Sequence, residues 1–356
     1  MPSILKNRWL WVLGCAVILG VMVFSIAQKL PKGENSQPSL NQEELAKMVK
    51  PAVVRIAQKV EGKYTIPEFE IDLSTLTTTV KHTREPEYKT LTEFVTGTGF
   101  VISQDGYILT NAHVVSKEMV KVLLLNEAFA EILEEKLKNL SKEEQRKIFR
   151  DEEKTEKFAK GTLTLLLANS QFEATSSLAV LNPVSEKEKI ENLFQNGFPA
   201  ETVDLNENFL FSNKDVALIK ISQTNLPTVN LSDESQISVG NPVFIFGFPG
   251  TANLNSLNPV ESTLTRGLVS ALKFSESKDF KIFQTDAKVS QGSSGGPMFN
   301  EKGEVIGINA AMSVEGENFG FAIPINKAKK DIESVKSSGK IVYPFLGVRY
   351  ALREEG

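Results

Sequence analysis

Short β-branched runs, each closed within a few residues by a turn former, constrain this chain more than any other feature. From "KPAVVRIAQKV" onward they recur as "TGTGFVISQDGYILT", "DVALIKI", "NPVFIFGF", "TRGLVSAL", "GEVIGINAAM" and "NFGFAIPI", punctuated by Gly, Asn, Asp and Pro. Many short strands with frequent turn signals read as an all-β sandwich or barrel. A length of 356 residues allows one large domain or two modest ones.

Helices are the exceptions. From about Asn126 to Lys160 the chain is dense in Glu, Lys and Leu at helical spacing, and Ser141 with Glu144 matches a capping box that starts a second helix. A similar signal stands at Ser185 and Glu188, with Gly197 as its stop. The spacing therefore predicts a helical insertion over about 126–200, its charges forming a solvated face with i,i+4 pairs. "NKAKKDIESVKSSGK" predicts a further helix after the last strand.

Trp9 to Ala27 form a run of about 19 mostly apolar residues, close to the ~20 that span a bilayer as a helix. An uncleaved signal anchor fits that length. A cleaved signal peptide, with Ser25 and Ala27 as a small-x-small site, is the alternative, and both place the remainder outside the cytoplasm. Lysines and arginines flank the run on both sides, so charge does not fix its orientation. Residues 29–45 read as a polar tether. Cys15 is the only cysteine, which excludes disulfides and a thiolate metal cluster. A net charge of −4 offers no basic excess for nucleic acid.

"QGSSGGPMFN", Gln291 to Asn300, concentrates glycine where the chain must bend sharply or approach something closely. A turn between strands is the plain reading. A nucleophile loop, with an exposed serine and backbone N–H groups aimed at a developing negative charge, is the other, and it needs a histidine and a carboxylate. Only two histidines exist. His82 lies in a polar loop with no ordering signal, whereas His113 follows the apolar strand "DGYILTNAHVV". Asp215 stands at the entrance to "DVALIKI", where a carboxylate can be partly buried and fixed. Asp286 in "FQTDAKVSQGSSGG" better serves the geometry of the serine's own loop.

The chemistry follows from these residues. His113 takes the proton of Ser294 during attack, and Asp215 holds the imidazole in the right tautomer. Ser294 rather than Ser293 attacks, because Gly295 and Gly296 follow it and leave its side chain unobstructed. The oxyanion hole falls to the loop of Gly292, Ser293 and Ser294, with the N–H groups of Gly292 and Ser294 as donors. The order His, Asp, Ser is that of the chymotrypsin arrangement.

With these residues in view the sequence resembles the Deg/HtrA family of trypsin-like serine proteases. The matching stretches are "GTGFVIS", "DGYILTNAHVV", "DVALIKI", "FGFPG", "TRGLVSAL", "FQTDAKVSQGSSGGP", "GEVIGINAAM" and "GFAIPIN", in family order over most of Ala52 to Asn326. The resemblance implies two perpendicular six-stranded β-barrels with the triad in the cleft between them. It further implies hydrolysis of peptide bonds without cofactors, often in misfolded proteins, and the homotrimeric assembly that is frequent in the family. No ligand set for a metal is expected, since one histidine is committed to catalysis. The catalytic part is expected outside the cytoplasm, in a bacterial periplasm or at the cell surface.

Three departures from the family pattern stand out. Ser293 replaces the usual Asn before the nucleophile, and the segment between His113 and Asp215, about 100 residues, is longer than usual. Family members usually continue into PDZ domains after a linker like "IVYPFLGV", so residues 339–356 are expected to be that linker or the start of a further module. The expected division is an anchor over 1–28, the tether over 29–45, an N-terminal barrel over 46–224, a C-terminal barrel over 225–338, and the 339–356 segment. Trypsin-like cleavage after Lys or Arg needs an acid about six residues before the nucleophile. Lys288 stands there, followed by Val289, and Asn309, Ala310 and Ala311 are expected as the opposite wall of a pocket for small or aliphatic residues. The competing reading is a protease-fold chaperone or peptide-binding module that hydrolyses poorly.

Overall fold

A computed structural model describes residues 41–81, 87–182, 189–205, 215–232, 237–249, 261–274, 281–310, 319–329 and 332–333. The expected anchor over residues 9–27, Cys15, His82, Ala311 and the 339–356 segment lie outside them. Among the described residues no helix is long and apolar enough to cross a membrane.

Helix α1 (Gln42–Val49) opens the described chain on a capping box, in which Glu44 N–H donates to the Asn41 side chain and Asn41 N–H to the Glu44 carboxylate. The last residues of the expected tether are thus helical. Leu45 and Val49, one turn apart, bury themselves and draw this end of the segment onto the protein.

The first barrel is closed in the order β1 (Val53–Tyr64), β4 (Lys89–Val101), β5 (Tyr107–Thr110), β8 (Ala217–Ile221), β7 (Phe198–Leu205), β6 (Phe172–Val180), and β6 returns to pair with β1. Ile56, Ile108 and Ile219 share one face of the strands and Phe100 and Leu109 the other, and all five are almost completely buried. Both faces of these strands are therefore covered, although successive side chains alternate between them. A hairpin, β2 (Glu68–Asp72) with β3 (Thr77–Lys81), grows from the connection between β1 and β4.

Between β5 and β6 stand α2 (Ala112–Val115) and three further helices, α3 (Lys117–Leu137), α4 (Lys142–Ile148) and α5 (Glu152–Asn169). The helical insertion therefore covers 117–169 rather than 126–200. Residues 172–180 and 198–205 are barrel strands, separated by the short helix α6 (Ile190–Gln195). The apolar run "MVKVLLL" joins the insertion because Val120 packs with Val60 and Leu91 of the barrel, while Val122, Leu125, Phe129 and Leu133 form a buried stripe on another face of the helix. Phe129 meets Phe158 of α5 edge to face at 5.6 Å, joining the two long helices. Ser141 and Glu144 form the capping box that starts α4. Helix α6 begins at Ile190 after Lys189, later than the Ser185 signal suggests, and Ser185 lies outside the described residues. Gly197 follows its end, with its N–H donating to Phe194 O.

The second sheet runs β13 (Pro297–Phe299), β10 (Pro242–Gly247), β11 (Thr263–Phe274), β12 (Lys281–Thr285), β15 (Gly320–Pro324), β14 (Glu304–Ala310). Pairing of β13 with β14 closes it into a second six-stranded barrel, and β9 (Asn230–Leu231) adds to β14 in parallel. Val243, Ile245, Val269, Phe283, Met298, Ile306 and Ala322 form its own core. Phe244, Phe246, Phe299 and Ile308 join a continuous apolar cluster with the first barrel, so the two barrels share a buried seam. After β15 the chain is helical at 326–329 and 332–333, where Ala328 and Ile332 are buried.

Candidate active site

His113 sits in α2, a single helical turn at the end of β5, and that turn fixes its position. Asp215 stands two residues before Ala217, the first residue of β8, which pairs with Thr110 at the same end of β5. The barrel register thus brings together two residues 102 positions apart: His113 Nδ1 and Asp215 Oδ2 lie 2.5 Å apart, and His113 N–H donates to Asp215 Oδ1 at 2.9 Å. Asn111 Nδ2 adds a bond to Asp215 O at 2.6 Å, so the aspartate is held from both ends. Their side chains are 25% and 18% exposed, so the pair is largely shielded while part of the imidazole stays accessible. A carboxylate bonded in this way stabilises the tautomer with its proton on Nδ1 and leaves Nε2 as the base.

The serine loop is part of the second barrel and leans on the first. Gly292 and Gly295 adopt φ of +90° and +83°, a backbone that non-glycine residues rarely take. A Cβ at Gly295 would lie 3.0 Å from Asn111 N, two residues before His113, which places the serine turn directly beside the histidine turn. Thr98 of β4 crosses the seam: its N–H donates to Ser294 O at 2.8 Å, and its hydroxyl donates to Gly292 O at 2.7 Å while accepting from Phe248 N–H at 3.0 Å.

The remaining expected residues are distributed as follows. Asp286 accepts from Leu268 N–H of β11 at 2.6 Å, so its side chain ties the end of β12 to the neighbouring strand instead of bonding within the serine loop. Ser293 N–H donates to Ser290 O at 3.0 Å, so it is committed to the turn and is not a donor of the oxyanion hole. Asn309 is fully buried behind the loop, with its side chain donating to Ser293 O at 3.0 Å; this removes it from the wall of a substrate pocket. Ala310 beside it is buried as well. Lys288 is exposed, whereas Val289 is half-buried and lies against Gly320, where an added Cβ would come within 2.4 Å of Val289 Cγ2.

Thr98, Thr110 and Gly320 are site residues that sequence reasoning missed. "GTGF" and "GFAIPI" mark their neighbourhoods, but no local signal distinguishes a threonine whose partners lie almost 200 residues away. Among the described residues no cluster of His, Cys, Asp or Glu could hold a metal ion. An open groove of about 550 Å³ between Phe94, Phe194, Leu178 and Pro199 lies on the outside of the first barrel. None of the candidate residues lines it, and its wall carries no histidine or serine–histidine pair, so the chemistry points to the cleft instead.

Residues 97–308, more than half of the chain, match the Trypsin-like peptidase domain family. The chain belongs to this family. The curated relatives it resembles carry serine-protease names, some of them DegP-like. It is 36% identical over 140 residues to a putative serine protease HhoB of Synechocystis, covering 38% of this chain and 32% of that protein. It is 38% identical over 139 residues to a probable periplasmic serine endoprotease DegP-like of Pseudomonas putida, covering 38% of this chain and 28% of the relative. The chain thus spans about a third of the length of the curated relatives it matches. Among solved structures, a serine endoprotease from Yersinia pestis aligns with a TM-score of 0.45 at 22% identity, covering 88% of this chain and 73% of that one.

Proposed function

We propose that this chain is a serine endopeptidase that cuts peptide bonds through Ser294, His113 and Asp215. The observation that carries the reading is the doubly bonded His113–Asp215 pair beside a glycine-rich serine turn, inside a trypsin-like peptidase match. His113 accepts the Ser294 proton as its Oγ attacks the scissile carbonyl. The imidazolium is stabilised by Asp215, and the oxyanion is met by the N–H groups of Gly292 and Ser294. The same imidazolium then gives its proton to the leaving amine, and a water molecule repeats the cycle on the acyl-enzyme.

Substrate choice and location extend this reading. Val289 against Gly320 gives the primary pocket an apolar wall, and Lys288 offers no acid there, which favours small or aliphatic residues before the cut. A relative named as periplasmic, together with the apolar run over residues 9–27, supports a catalytic part tethered outside the cytoplasm, where unfolded proteins are the substrates.

The test is digestion of unfolded casein by the purified chain, with Ser294→Ala prepared in parallel. Cleavage by the parent alone supports the reading. Equal binding of unfolded chains by both proteins, with cleavage by neither, would replace it with a binding module.

A further inference from the structure

Three consecutive carbonyls of the nucleophile turn are held from behind by two residues. Thr98 Oγ1 donates to Gly292 O at 2.7 Å, Asn309 Nδ2 donates to Ser293 O at 3.0 Å, and Thr98 N–H donates to Ser294 O at 2.8 Å; within the turn itself Gly296 N–H adds a bond to Ser293 O at 3.0 Å. Thr98 belongs to the first barrel and Asn309 to the second, so the turn is gripped from both sides of the seam. Both gripping residues are fully buried.

A trans peptide is planar, so its C=O and N–H point in opposite directions. The carbonyl that Asn309 holds, Ser293 O, shares its peptide with the N–H of Ser294. Fixing that carbonyl on the buried side therefore turns the Ser294 N–H toward the open side, where the oxyanion develops. We propose that Asn309 and Thr98 are positioning residues of the oxyanion hole. The proposal rests on the peptidase reading above and deepens it: neither residue touches substrate; Asn309 acts on the Ser293–Ser294 peptide that carries the donor, and Thr98 fixes the two peptides flanking it, Gly292–Ser293 and Ser294–Gly295.

Two details favour an aimed device over incidental packing. Asn309 is itself locked to the turn, its N–H donating to Gly296 O at 2.8 Å and its O accepting from Gly295 N–H at 2.7 Å, so its side chain has a fixed origin. Its Oδ1 is buried with no hydrogen-bond partner among the described residues. An apolar residue would avoid that unpaired oxygen, so the amide is retained for the one bond its Nδ2 makes.

The experiment measures kcat and KM on a peptide substrate, and affinity for a peptide boronic acid that forms a tetrahedral adduct on the serine. It compares the parent, Asn309→Leu, Thr98→Val and Thr98→Ser, with thermal unfolding recorded for each. Loss of one oxyanion donor typically lowers kcat about 10²–10³-fold, so a misaimed donor is expected to cost roughly 10–100-fold. Boronate affinity is expected to fall in parallel, while KM and affinity for a matched uncleaved peptide stay within about twofold. Thr98→Ser, which keeps the hydroxyl, is expected to recover most of the Thr98→Val loss. Parent-like kcat and boronate affinity in Asn309→Leu and Thr98→Val overturn the proposal, as does a loss that appears in KM and in unfolding alone. If Asn309→Leu does not fold, the Thr98 pair decides the outcome. The Ser294→Ala control separates the two levels. If its cleavage equals the parent's, the peptidase reading itself fails, whereas a failure of the clamp leaves that reading standing.

Discussion

Replacing Gly295 by alanine asks whether the nucleophile turn owes its shape to contact with the first barrel. A Cβ at this position would lie 2.2 Å from both Thr98 O and Thr110 Oγ1. That is more than 1 Å inside the ~3.5–4.0 Å at which non-bonded atoms rest. The φ of +83° adds a penalty of about 1–2 kcal/mol for any residue with a Cβ. Neither neighbour can give way easily, because Thr98 lies in β4 and its carbonyl already accepts from Thr110 Oγ1 at 2.7 Å. The turn must therefore retreat by about an ångström, carrying Ser294 with it, and a misplacement of that size can cost about 10²-fold in rate. The expected result is a fall in kcat/KM of at least ~10² with a global destabilisation of roughly 1–3 kcal/mol. Peptide-cleavage kinetics and urea unfolding on the same preparations read both quantities. Activity within about threefold of the parent would refute the claim that this contact sets the turn.

Gly161, exposed in the middle of α5 with nothing within 4 Å of an added Cβ, gives the opposite sign. Gly161→Ala is expected to stabilise by roughly 0.5–1 kcal/mol, seen as a higher urea midpoint with unchanged cleavage. Asp215→Asn removes the acceptor that selects the His113 tautomer and is expected to lower kcat on the order of 10⁴-fold, with little change in thermal stability. Phe158→Ala deletes half of the ring pair that joins α3 to α5 and is expected to cost about 3–5 kcal/mol, with new proteolytic cuts confined to residues 117–169. Burial raises the pKa of Glu93, so the fold favours its neutral form. Its contribution to stability is greatest below the ordinary carboxylate range and falls as pH rises through the raised value. Glu93→Gln is therefore expected to raise the melting temperature at pH 7, and the gain should shrink toward zero near pH 4. A gain that persists unchanged at acid pH would show that charge burial is not its cause.

Much of the architecture is legible because its signals are local. The capping boxes at Asn41–Glu44 and Ser141–Glu144 close within a single turn and need no tertiary partner. The β-branched runs announce strands for the same reason, since alternation is a property of the strand itself. The start of α3 was less legible: "MVKVLLL" suits a buried strand or a helix equally. The barrel surface it covers, through Val120, is built by residues far away in sequence. The later bounds of the insertion failed on the same ground. Residues 172–180 become a strand because β1 offers them an edge, with Val60 opposite Ser176.

The sequence alone narrowed the candidate chemical cast. With only two histidines and a single glycine-dense serine loop, the need of a serine for a base, and of that base for a carboxylate, narrows the choice to very few residues. Tertiary structure decided how those residues are held. Thr98 and Asn309 are of ordinary types in ordinary strands, and nothing in their immediate neighbours reveals a function. Their hydrogen bonds to Gly292, Ser293 and Ser294 exist only because two closed barrels bring β4 and β14 against the same turn. A reactive group can be recognised by its own chemistry, but a supporting bond belongs to the geometry between segments, which the order of residues does not display.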